Sequence, residues 1–170
     1  MRQPGGLTYR ADFIDETAEQ RLLTFVSSLT LEPVTIRGNT ARRTVRHFGL
    51  RYDYGSSVLR KGDPIPEEFA LVMRRAEEFA GLREGGLVEA IVNNYPRGAG
   101  LGWHQDASVY AVIVGVSLGV AGTIQFRTEI AGEREFSSSS LIQDRRTSCG
   151  MTCATTGSIV YRRRRTNEFR

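Results

Sequence analysis

The hydrophobic pattern changes its period part-way along this chain, and that change limits the folds open to it. Early on, Leu22, Phe25, Val26 and Leu29 recur at spacings of three and four. Asp15 stands just before them where a helix N-cap belongs, so Glu16–Ser28 reads as a helix. A second stripe at the same spacing runs through Phe69, Val72, Met73, Ala76 and Phe79. Pro66 fits its first position, Glu67 and Glu68 suit its first turn, and Gly81 can close it. Both stripes are core faces. The remaining apolar runs are short: Leu7-Thr8-Tyr9, Pro33-Val34-Thr35-Ile36-Arg37, Tyr110-Ala111-Val112-Ile113-Val114-Gly115-Val116-Ser117-Leu118-Gly119 and Thr123-Ile124-Gln125-Phe126-Arg127-Thr128. Turn residues at Gly38-Asn39, between Gly119 and Gly122, and at Ala131-Gly132 punctuate them. Two amphipathic helices and several short strands predict an α+β domain with its helices packed on a β core.

With 170 residues, a single domain can bury a real core. There is no apolar run long enough to span a membrane. Met1-Arg2-Gln3-Pro4-Gly5-Gly6 lacks the apolar centre of a secretory signal, and Cys149 and Cys153 are too few for a disulfide framework. A cytoplasmic protein is the expectation. The formal charge of +4 invites a nucleic-acid reading, but it is unevenly placed. From Ser137 onward seven arginines face Asp144 and Glu168, a net +5, while the rest of the chain carries −1.

The stretch richest in chemistry is Asn93-Asn94-Tyr95-Pro96-Arg97-Gly98-Ala99-Gly100-Leu101-Gly102-Trp103-His104-Gln105-Asp106. A strand-like run, Leu87-Val88-Glu89-Ala90-Ile91-Val92, leads into a Pro/Gly loop, and His104 and Asp106 follow two residues apart. In an extended segment such residues point to one face, where an imidazole and a carboxylate can grip one metal ion. Upstream, Arg42-Arg43-Thr44-Val45-Arg46-His47-Phe48-Gly49-Leu50-Arg51-Tyr52-Asp53-Tyr54-Gly55 mixes basic and aromatic residues. That mixture suits a surface meeting phosphates and unstacked bases. The plainer alternative is a strand and turn whose aromatics face the core. His47 by itself reads as a packed or hydrogen-bonded residue.

Asn93-x-Tyr95, the Pro/Gly loop, His104-x-Asp106 and the following Val-Gly-Val-Ser-Leu-Gly strand together resemble the AlkB family of Fe(II)- and 2-oxoglutarate-dependent dioxygenases. Phe48-Gly49-Leu50-Arg51-Tyr52-Asp53-Tyr54 looks like that family's nucleotide-recognition segment, and the likeness covers residues 11–135. The resemblance implies a double-stranded β-helix, or jelly roll, with N-terminal helices packed on it. It implies oxidative dealkylation of alkylated DNA or RNA bases, taken from single strands or flipped out. His104 and Asp106 would be two of three iron ligands in a 2-His-1-carboxylate set. Asn93 and Tyr95 would contact 2-oxoglutarate; Phe48, Arg51, Tyr52 and Tyr54 would meet the substrate. A monomer that binds alkylated single-stranded nucleic acid and no membrane is implied.

After Phe136 the chain departs from that pattern. The family has a further histidine downstream and two arginines near its end, one of which pairs with a 2-oxoglutarate carboxylate. Here the histidines are His47 and His104, and none follows Asp106. Arg165-Thr166-Asn167-Glu168-Phe169-Arg170 resembles the family's Arg-x-Asn-x-x-Phe-Arg ending, one residue short, which offers Arg165 and Arg170 as the carboxylate's partners. Four serines at 137–140 and arginines at 162–165 replace any periodic pattern, and Cys149-x-x-x-Cys153 has no other ligand nearby for zinc. Residues 1–136 are thus expected to form the dioxygenase domain. Residues 137–170 are expected to be a poorly ordered tail, leaving the C-terminal strands incomplete. The expectation is that the gene carries a shifted reading frame near codon 136. Permitted codons for Cys149-Gly150-Met151-Thr152-Cys153-Ala154-Thr155-Thr156-Gly157-Ser158-Ile159-Val160, read two nucleotides on, give a Trp-x-His where the missing ligand belongs. Without that ligand the alternative is an inactive remnant or a nucleic-acid-binding module; an unrelated β-rich binding protein is a third.

Overall fold

The computed structural model describes residues 7–36, 38–53, 55–56, 58–104, 106–107, 109–119, 122–130, 133–141, 149–154 and 160–162. Helix α1 (Glu16–Ser28) has the expected bounds, and the Asp15 carboxylate accepts the Ala18 N–H at 2.8 Å. That bond satisfies one of the donors a helix start leaves open. The second helix opens with a 3-10 turn (Glu67–Phe69) that Pro66 precedes. It continues as α2 (Ala70–Ala80) and closes on Gly81, whose φ of +67° few residues but glycine adopt. The two apolar stripes meet in one cluster of Phe13, Ile14, Ala18, Leu22, Phe48, Phe69 and Ala76. Phe69 is its hinge point, edge-on to Phe25 at 5.3 Å and to Phe48 at 5.8 Å. Among the described residues no helix is long and apolar enough to cross a membrane.

The strands are β1 (Leu7–Arg10), β2 (Glu32–Ile36), β3 (Asn39–Asp53), β4 (Val58–Lys61), β5 (Glu89–Asn94), β6 (Val112–Ser117), β7 (Gly122–Ile130), β8 (Glu133–Leu141), β9 (Cys149–Ala154) and β10 (Val160–Arg162). Every described pairing is antiparallel. β3 pairs with β2, β4 and β5; β9 lies between β1 and β6; β7 lies between β10 and β8. The result is a mixed α and β fold with few helices and antiparallel sheets, as the period change predicted.

β3 organises the half of the molecule that holds the site. It pairs with β5 from Thr44 to Gly49, then with β4 from Leu50 to Asp53. Gly49 makes the transfer at φ +82°: its N–H donates to Asp63 O at 2.7 Å and its carbonyl accepts from Gly62 at 2.8 Å. Register then sorts the faces. Phe48 lies opposite Ala90 and Arg46 opposite Val92, and Phe48, Ala90 and Val92 all belong to the helix-packed core. Val45 opposite Asn93 and His47 opposite Ile91 therefore occupy the face turned from the helices.

Within the expected tail, pairing is described at residues 137–141, 149–154 and 160–162, and the rest of residues 137–170 lies outside the described residues. The four serines lie on β8 opposite residues 123–126, and β9 and β10 follow. Hydropathy reports what a strand buries. Antiparallel pairing needs only backbone groups and a neighbour with its own unmet, a condition that β1, β6 and β7 present.

Candidate functional site

β5 delivers Asn93 to the rim of the helix-free face, and the loop that follows is fixed locally. The Ala99 N–H closes a turn on Pro96 O at 2.8 Å, and Arg42 Nη2 donates to Arg97 O at 3.1 Å, tying the loop to β3. Beyond the loop the described residues of 101–107 form no strand, and Gln105 lies outside them. The two-residue periodicity of an extended segment is therefore not what joins His104 to Asp106. They meet all the same: His104 Nε2 is 3.5 Å from Asp106 Oδ1.

The ring's other nitrogen fixes its chemistry. His104 Nδ1 lies 2.9 Å from the Gly102 carbonyl, which can only accept, so Nδ1 carries a proton and the Nε2 lone pair of the neutral ring is turned towards the carboxylate. The Asp106 side chain raises the pKa of His104 above its ordinary value. Partial burial opposes this, the Gly102 carbonyl adds to it, and the positive charge of Arg43 subtracts. A proton or a divalent cation can thus occupy the space between Nε2 and Oδ1.

Arg43 is the member of this group that sequence reasoning missed, having counted it only as part of a basic run. Its Nη1 donates to the Asn93 side-chain carbonyl at 2.6 Å, while its Nε is shielded from solvent and has no partner among the described residues. The signal was one of parity: Arg43 stands two residues before Val45, and Val45 lies opposite Asn93. β3 and β5 so bring Arg43 to Asn93, the post-loop segment brings His104 to Asp106, and the charge of Arg43 is felt at His104. Tyr95 follows directly on β5, half-buried.

The other expected site residues divide. Phe48 is 6% exposed and packed edge-on against Phe69, so its ring belongs to the core, the plainer of its two readings. Arg51 is exposed on the β3–β4 hairpin opposite Arg60. Tyr52 is half-buried, and its N–H donates to the Tyr110 hydroxyl at 3.3 Å. Tyr54, Arg165 and Arg170 lie outside the described residues. His47 bonds Glu89 Oε1 at 2.9 Å, and Tyr110 donates to the other oxygen of that carboxylate. His47 does not join the other histidine: among the described residues no group of three His, Cys, Asp or Glu could hold a metal.

An imidazole nitrogen and a carboxylate oxygen 3.5 Å apart fit a divalent cation, since two bonds of ~2.1 Å span that gap. They supply two protein donors. Asn93 and Arg43, bonded to each other at 2.6 Å, offer an amide and a guanidinium, groups suited to a carboxylate.

A family model described as the 2OG-Fe(II) oxygenase superfamily matches residues 13–162. A comparison with curated proteins finds no match. The matched span opens at Phe13, takes in both helices and the whole of Asn93-x-Tyr95 and His104-x-Asp106, and ends with β10, well past Phe136. On a match covering most of its length, the chain belongs to the 2OG-Fe(II) oxygenase superfamily.

Proposed function

We propose that this chain is an AlkB-like oxygenase that acts on N-alkylated bases in single-stranded nucleic acid, with its antiparallel sheets forming a double-stranded β-helix. Membership of the superfamily implies an oxygenase function that uses Fe(II) and 2-oxoglutarate. The observation that carries the reading is the His104–Asp106 pair, 3.5 Å apart, which follows the loop leaving β5, the strand where Asn93 is bonded to Arg43. His104 and Asp106 are the residues that hold the metal. Its Nδ1 bond to Gly102 keeps the imidazole in the tautomer a metal requires, and Asp106 contributes the negative charge. Asn93 and Tyr95 face the 2-oxo acid. Held there, iron with 2-oxoglutarate would supply the oxidising chemistry: O2 would give one oxygen atom to succinate, formed with CO2 from the 2-oxo acid, and the other to the alkyl carbon, whose N–C bond would then break to release an aldehyde and leave the base with its N–H.

The substrate strand of this reading is the β3–β4 hairpin, whose β4 residues are all exposed. Arg51 and Lys61 lie there beside Tyr52, while Arg60 is partly neutralised by Asp53 at 2.9 Å. With the charge outside the tail near neutral, the contact is short and local instead of a long electrostatic track.

One observation favours a second reading, an inactive nucleic-acid-binding remnant: no histidine follows Asp106, and the described residues complete no set of three ligands. Succinate release from 2-oxoglutarate with Fe(II), with and without methylated single-stranded DNA, separates the two. Turnover that disappears in His104→Ala supports the oxygenase; a folded chain that binds the DNA without releasing succinate supports the remnant. The frameshift origin of residues 137–170 is tested in the gene itself. A nucleotide sequence with no histidine codon in a shifted frame past codon 136 overturns it.

A further inference from the structure

Arg43 presents a problem that the protein alone leaves unsolved. A guanidinium is charged at every accessible pH, and leaving one of its N–H groups buried and unpaired is costly. Among the described residues, Arg43 Nε is the buried side-chain nitrogen without a hydrogen-bond partner. Asn93 accepts from Nη1 but brings no negative charge. Asn93, which Arg43 holds at 2.6 Å, lies near the end of β5, and the loop that leaves β5 leads to His104 and Asp106. With one carboxylate and one imidazole, the protein neutralises a divalent cation between them only in part and leaves most of its coordination open. An anion spanning the two positive centres relieves both deficits at once. A 2-oxo dicarboxylate has the right parts: its oxo group and adjacent carboxylate chelate a metal, and its far carboxylate matches a guanidinium fork.

We propose that Arg43 receives the far carboxylate of 2-oxoglutarate, so that metal and 2-oxo acid bind this chain as an interdependent pair. The proposal rests on the oxygenase reading of His104 and Asp106. It places the cation for the co-substrate on β3, independent of residues 163–170. Each ligand raises the affinity for the other by one and the same factor, as linkage requires.

The test uses the full chain and Mn(II), which resists oxidation, followed by calorimetry or by the fluorescence of Trp103, the sole tryptophan and the neighbour of His104. Mn(II) is titrated in the presence of 2-oxoglutarate or of 2-oxobutyrate, which has the same chelating end and no far carboxylate. In the wild type, 2-oxoglutarate is expected to tighten Mn(II) binding about tenfold more than 2-oxobutyrate does, a typical coupling. In Arg43→Ala the two acids become equivalent, while the binding of Mn(II) alone is unchanged. Arg43→Gln, which can still donate to Asn93 but carries no charge, gives the same loss and serves if the alanine variant fails to fold by circular dichroism. A wild-type difference that survives in both variants overturns the role of Arg43 and leaves the metal site standing. A folded wild type that binds no Mn(II) with either acid overturns the oxygenase reading along with it.

Discussion

His104 is held from two sides, by the Gly102 carbonyl at 2.9 Å and the Asp106 carboxylate at 3.5 Å, and that fixing makes a two-donor site measurable. In the presence of 2-oxoglutarate, His104→Ala and Asp106→Ala should each weaken Mn(II) binding by about tenfold or more, the loss of a ligand outweighing that of a mere orienting partner. His47→Gln should leave it unchanged, because His47 is bonded to Glu89. Equilibrium dialysis reads all three. Asp53 gives a pH signature. The Ser56 side chain, the Gly55 and Ser56 N–H groups and Arg60 hold its carboxyl at about 2, against an ordinary 3.8. The folded state therefore binds fewer protons than the unfolded one in this range. The contribution of Asp53 is complete above pH ~4 and disappears as pH falls through about 2. The Tm difference between wild type and Asp53→Ala should accordingly shrink from pH ~5 to pH ~2. A difference independent of pH would show that the turn, and not the charge, matters. At this scale the sequence made His104 and Asp106 visible, because they are neighbours. It hid Arg43, whose meeting with Asn93 spans fifty residues and exists only once β3 and β5 are in register.

The elements were legible to the extent that their signals are local. Asp15, the stripe of α1 and the closing Gly81 each act within a turn or two, and α1 has the bounds they specify. Asp15→Ala should cost about 1 kcal/mol of stability, the usual worth of an N-cap, in denaturant melts. Phe48 was ambiguous because a strand's aromatic can face core or solvent, and only pairing decides: opposite Ala90, it faces the helices. Truncating Phe69, which touches both Phe25 and Phe48, should cost about 3–5 kcal/mol. Gly49 was hidden altogether, since glycine inside a strand pattern has many causes. Here φ is +82° and an added methyl would run into the Val88 carbonyl oxygen, which accepts the Leu50 N–H at 2.8 Å. Gly49→Ala must therefore move backbone against backbone. A destabilisation of more than ~1 kcal/mol in the same melts is expected, since left-handed strain and a steric conflict act together.

For the molecule as a whole, a decisive element is β9, in the stretch that composition reads as a tail. β9 lies between β1 and β6, pairing Leu7 with Cys153 on one edge and Val112 with Ala154 on the other. β6 in turn brings Val114 and Val116 against the helix-packed core. A segment whose residue types suggest a solvated tail thus joins the first strand of the chain to the middle of it. Nothing periodic announces that role, because β9 is specified by the strands it completes. A chain ending at residue 148 removes β9 and β10 and keeps both helices and the Asn93–Asp106 site. β1 and β6 then expose two edges of unpaired N–H and C=O groups, the condition that invites association between copies. Domains of this size are stable by only ~5–15 kcal/mol, so the loss of a strand paired on both sides is a large fraction of the total. The shortened chain should lose its cooperative melt and elute as aggregates in size-exclusion chromatography. If instead it melts as sharply as the full chain and elutes as a single species, β9 carries no structural load. The shortened chain's affinity for Mn(II) with 2-oxoglutarate would then report the site free of residues 149–170.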